Sequence, residues 1–102
     1  MTVSAWTNGS SGYGLKIKRK DIQKYFMTDW KKVNIIVQLK GKEEIISANI
    51  AKQSFWTGCG ELINKRYKDY FMEHGGINWK PRHPSKFELT QIKEKTFKLE
   101  EI

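Results

Sequence analysis

Cysteine is nearly absent from this chain. Cys59 is the one thiol in 102 residues, so no intramolecular disulfide can form, and a small chain without staples fits a reducing compartment. Proline is scarce too: Pro81 and Pro84 are the only two, close together in one stretch. Long apolar runs are missing, and none approaches the roughly 20 residues that cross a bilayer. The start, MTVSAWTNGSSGYG, lacks the basic region and apolar run of a secretory signal. A cytoplasmic protein without membrane contact is expected. Acidic residues are outnumbered, 11 Asp and Glu against 19 Lys and Arg, for a net charge of +8.

Aromatic residues are what the chain has in quantity, at 13%. That content argues against a disordered tail and allows a few large rings to fill one small core. The positive charge is uneven. Residues 15–42 carry nine Lys and Arg against two Asp, and residues 65–86 carry six against two acids. A mildly acidic segment separates them. If the fold brings the two basic segments to one side, the result is a face suited to phosphates. The plainer alternative is a lysine-rich surface that only aids solubility.

Residues 1–14 are rich in turn formers, Asn8-Gly9, Ser10, Ser11, Gly12 and Gly14, and read as an N-terminal arm or loop pinned by Trp6 and Tyr13. Residues 15–102 read as one domain. Leu15-Lys16-Ile17-Lys18 alternates as a short strand. Ile22, Tyr25 and Phe26 then share one face of a short helix, with Asp21 in its first turn, and Trp30 closes this unit. Val33–Leu39 and Glu44–Ile50 alternate around a turn at Lys40-Gly41-Lys42-Glu43, which predicts a hairpin. Gln53–Trp56 reads as a short further strand or the lead into a helix.

The main helix is expected within Gly60–His74, with Ile63, Tyr67, Tyr70, Phe71 and His74 on one stripe. Asn64 is a possible second start inside it, and Gly75-Gly76 ends it. Ile77–Ser85 is a loop, and Phe87–Gln91 and Phe97–Leu99 form a final hairpin. Strand pairs separated by two helices predict an α+β fold. Its sheet is expected to be an antiparallel open barrel of five to seven strands.

No motif for chemistry stands out. Cys59, His74 and His83 match no metal-ligand spacing, so no metal is expected, and nothing points to a cofactor. Cys59 lies between glycines near a helix start, a place that activates thiols, but Trp56 and Leu62 bracket it as they would a small buried hydrophobe. Asp29-Trp30-Lys31 has the D-x-K form of some nucleases, at a length that chance supplies in a lysine-rich chain. Gly9–Gly14 lacks the Lys-Ser/Thr of a phosphate-cradling loop.

The stretch Trp79-Lys80-Pro81-Arg82-His83-Pro84 is the strongest binding candidate. Prolines lower the ordering cost of a loop, while Lys80, Arg82 and His83 suit phosphates or base edges. Trp79 can stack on a base, though as a core anchor it is better placed.

The order of elements resembles the B3-like pseudobarrel, a DNA-binding fold of plant transcription factors and of recognition domains in some bacterial restriction enzymes. The parallels are the Leu15–Ile17 strand, the helix ending Lys24-Tyr25-Phe26 and the hairpin Val33–Ile50. The helix Tyr67–Phe71 and the closing pair Lys86–Gln91 and Thr96–Glu100 complete them. The chain also looks like a group of small bacterial proteins of unassigned function. They share its Trp6–Gly9, Gly12–Lys16, Phe55–Leu62 and Trp79–Leu89 patterns.

The first expectation is a non-catalytic module that binds nucleic acid, with double-stranded DNA favoured. The B3-like resemblance implies Lys16, Lys18, Arg19, Lys80 and Arg82 as contacts to phosphates or bases, and Asn8, His83 and Lys86 join them as candidate contacts. A protein-interaction adaptor that docks an acidic partner is the alternative.

Overall fold

The computed structural model describes residues 1–9, 12–58, 60–75, 79–80 and 82–102. The described strands are β1 (Thr2–Thr7), β2 (Tyr13–Ile17), β3 (Lys32–Leu39), β4 (Lys42–Asn49), β5 (Gly60–Ile63), β6 (Lys86–Lys93) and β7 (Thr96–Glu101). The described helices are α1 (Arg19–Tyr25), α2 (Gln53–Thr57) and α3 (Tyr67–His74). The strands make one sheet in the order β4-β3-β7-β6-β1-β2-β5, curled into a half-barrel.

Alternation builds the sheet. Val33, Ile35 and Val37 of β3 point into the core with Ile46 and Ala48 of β4, and their neighbours point out. Two residues, Lys40 and Gly41, turn this hairpin, both with positive φ (53° and 76°), the geometry that matches strand twist. Lysine resists that conformation, and its N–H is held by both carboxylate oxygens of Glu73, each at 3.0 Å. The register is Lys32 to Asn49 through Leu39 to Lys42.

The helices close the two ends with rings. At one end Phe26, just after α1, stacks on Phe97 at 4.8 Å, tilts against Phe55 of α2 at 5.5 Å and meets Trp30 edge-on at 6.2 Å. At the other end Tyr67, Tyr70 and Phe71 of α3 are buried. Phe71 stacks on Phe87 and meets Tyr13 and Trp79 edge-on. The half-buried Trp79 thus packs against the core.

Four expectations need correction. The sheet is mixed, because β3 pairs with β7 in parallel, Asn34 to Thr96 through Ile36 to Lys98. Hairpin patterns report only on consecutive strands, so this pairing of distant strands left no local signature. The expected N-terminal arm is in part a strand: β1 lies inside the sheet between β6 and β2, with Val3 and Ala5 buried. Two inward residues, one of them alanine, make too weak an apolar alternation to read as a strand.

The third correction concerns the main helix. Gly60–Ile63 is a strand on β2, and the helix starts only at Tyr67. A Cβ on Gly60 would overlap Ile22 of α1, so glycine lets β5 approach that helix. Ile63 consequently leaves the apolar stripe and is 43% exposed. Asn64 makes the break: its Oδ1 accepts the Arg66 N–H at 2.9 Å and its carbonyl accepts the Tyr67 N–H at 3.1 Å. Fourth, Gln53–Thr57 is a helix, so the described helices number three, not two. The expectations for Cys59, Gly76 and Pro81 fall outside the described residues. No helix among the described residues is long and apolar enough to cross a membrane.

Candidate functional site

The site follows from strand register. On the outer face of the sheet, Lys16 of β2 stands opposite Ser4 of β1, and Ser4 stands opposite Lys86 of β6. Lys16 has Glu61 of β5 on its other side. One cross-strand row therefore reads Glu61, Lys16, Ser4, Lys86. Strand neighbours lie about 4.8 Å apart, which sets the two lysine positions roughly 10 Å from each other. They belong to the two basic segments of the sequence, and both are exposed.

The next outward residue along β1 is Trp6. It faces Gly14 on β2, and Gly14 faces Ile63 on β5. A Cβ on Gly14 would overlap the Leu62 carbonyl oxygen, so the ring has no side chain at its immediate neighbour on β2. The β1–β6 ladder continues past Lys86 through Ala5 N–H to Ser85 O at 2.8 Å. This joins the row to the loop that carries Arg82 and His83, both exposed. Arg82 has φ 67°, and His83 N–H donates to Lys80 O at 2.9 Å.

The other expected contacts are used differently. Asn8 spends its Oδ1 on the Gly12 N–H at 3.0 Å, holding the β1–β2 turn. Arg19 donates from Nη2 to Thr57 O at 2.6 Å, tying α1 to α2. Lys18 is exposed just before α1. Lys80 is exposed beside Trp79, at the α3 end. The structure thus brings Lys16 and Lys86 together and leads from them to Arg82 and His83. Asn8 and Arg19 have fold-holding bonds instead. Sequence reading missed Ser4, Glu61 and the outward aim of Trp6. The last was present as the parity of Trp6 against Val3 and Ala5.

Among the described residues no lysine is in an ion pair. Two acids lie near the row, and only one of them is engaged. Glu88 is bound by the amino group of Met1 at 2.9 Å, and Oε2 of Glu61 is buried without a hydrogen-bond partner among the described residues.

A second cluster lies around His74. A shallow recess of about 210 Å³ is lined there by Gln38, Tyr70, Lys98 and Glu101, among others. Nδ1 of His74 lies 2.9 Å from Glu101 Oε1, Nε2 lies 2.7 Å from Gln38 O, and the Tyr70 ring stacks at 4.3 Å. Both ring nitrogens are occupied, so His74 fastens the end of α3 to β3 and β7. Burial, then the Glu101, Glu100 and Glu73 carboxylates, push the Tyr70 hydroxyl pKa up, and burial alone does so for Tyr67. Neither phenol is poised as a base. No group of His, Cys, Asp and Glu among the described residues can hold a metal ion.

Compared with protein families, curated proteins and solved structures, the chain has no match in any of the three.

Proposed function

We propose that this protein is a nucleic-acid-binding module without catalytic activity. One observation carries the reading: register sets Lys16 and Lys86, from separate basic segments, in one outward row that runs on to Arg82 and His83. Lysines without ion-pair partners gain most from phosphates, because each contact releases condensed counterions. The lysines, with Lys18 and Lys80 at the margins, contact the backbone, and Arg82 and His83 reach phosphates or base edges. Double-stranded DNA is the form that the B3-like resemblance implies.

Fluorescence anisotropy on labelled mixed-sequence nucleic acid, single-stranded and duplex, tests this. Binding is expected at about 50 mM salt and should weaken by at least tenfold towards 200 mM. No binding of either form at the lower salt overturns the proposal.

A further inference from the structure

The four tryptophans are not equivalent. Trp30 is buried against Phe26. Trp56 meets Phe55 edge-on and donates its indole N–H to Ile50 O at 2.8 Å. Trp79 meets Phe71 edge-on and packs against the core. Trp6 does none of these: among the described residues its ring has no aromatic neighbour and its indole N–H no hydrogen bond. It is half-buried on the outer face, two residues along β1 from the row of Lys16, Ser4 and Lys86.

A large ring held outward on a strand, without core packing to explain it, has a low ordering cost on binding, because the sheet already fixes its backbone. Its surroundings narrow the ligand. The neighbouring position on β2 is Gly14, beyond it is the exposed Ile63, and one row along stand Lys16 and Lys86 on either side of Ser4, with Glu61 beyond Lys16. Apolar surface beside unpaired cations suits a flat ring that carries a phosphate.

We propose that the outer face of β5, β2, β1 and β6 binds an unpaired stretch of nucleic acid, with a base stacked on Trp6 and its phosphates on Lys16 and Lys86. The inference rests on the nucleic-acid reading above and adds the strandedness of the partner. Bases inside a duplex have both faces covered by their neighbours. An indole on a sheet face reaches them only after unstacking, which costs a few kcal/mol per step. An unpaired base offers its face freely, and stacking tolerates any sequence because every base has a π-face.

The test compares a short labelled single strand of mixed sequence with its duplex, using wild type, Trp6→Ala and Trp6→Phe, each checked for folding by circular dichroism. Wild type is expected to bind the single strand more tightly, with quenching of tryptophan emission. Trp6→Ala should lose about tenfold or more in single-strand affinity, with a smaller change for duplex. Trp6→Phe should lose less affinity but abolish the quenching. Tighter binding of duplex by wild type overturns the inference and leaves the nucleic-acid reading standing. So does unchanged single-strand affinity in a folded Trp6→Ala. If Trp6→Ala does not fold, quenching that persists in Trp6→Phe overturns the inference. Failure of wild type to bind either form overturns the parent reading instead.

Discussion

The outer surfaces of the two halves of this sheet differ although their inner surfaces are alike. Inside, β5-β2-β1-β6 and β7-β3-β4 both present alternating aliphatic and aromatic residues to one core. Outside, the β7-β3-β4 half is tied down by side chains, some of them from the β5–α3 connection. Ser47 Oγ donates to Asn34 Oδ1 at 2.8 Å, and Arg66 Nη1 and Asn64 Nδ2 donate to the Ile45 and Ser47 carbonyls of the β4 edge. The β5-β2-β1-β6 half instead has an unpacked indole beside its lysines and a basic loop at its border. Where polar groups satisfy one another the surface is finished. On the proposed reading, the other half is where the nucleic acid would sit.

The largest expected effect tests whether the halves are one body. Phe87 lies beneath one half and Phe97 beneath the other, and both are fully buried. Phe87→Ala and Phe97→Ala should each cost about 3–5 kcal/mol, read from denaturant unfolding by far-UV circular dichroism and tryptophan emission together. Coincident transitions are expected; two separate ones would break the picture of a shared core.

Charge reversal sharpens the contrast between the outer faces. The pair Lys16→Glu with Lys86→Glu should weaken nucleic-acid binding by on the order of tenfold or more at low salt. The pair Lys32→Glu with Lys98→Glu makes the same change in net charge on the other half, and should have a clearly smaller effect. Equal losses would mean that net charge alone attracts the ligand.

The smallest effect concerns the α3 cap that both halves share. Burial raises the hydroxyl pKa of Tyr67 and Tyr70, so the folded protein keeps both phenols neutral. The unfolded chain releases those protons near pH 10. The folded state then binds more protons than the unfolded one, and stability falls as pH rises beyond that point. Tyrosinate absorbance should therefore include a component that appears together with unfolding. The Tyr67 hydroxyl has no hydrogen-bond partner among the described residues. Tyr67→Phe should accordingly be neutral or stabilising by about 1 kcal/mol and should move alkaline unfolding to higher pH.

The chemistry of each residue explains what could be read before the structure. The β3–β4 and β6–β7 hairpins were legible because Val33–Val37 and Phe87–Leu89 alternate strongly beside short turns. The buried stripe of Tyr67, Tyr70 and Phe71 was legible as helical spacing. β5 was not, since four residues opened by a glycine show no period. For the candidate site, the residue types were visible but not their meeting. Lys16 and Lys86 become neighbours only through Ser4, in a strand that had read as an arm. Asn8 and Arg19 looked available because a sequence does not display the Gly12 N–H and Thr57 carbonyl that engage them.

The position of β1 also shapes how the molecule comes into being. It is the first strand in the chain, yet it lies between β2 and β6, with Thr2 opposite Glu88. On a ribosome it can pair early with β2, but its other edge stays open until β6 has been made. Bringing such distant segments together costs loop-closure entropy before the contacts repay it. Assembly should then proceed on the slower millisecond-to-second scale of β-rich domains. During synthesis the open edge of β1, where the Met1 carbonyl and the Ala5 N–H wait for β6 and the residue before it, is the segment most in need of protection.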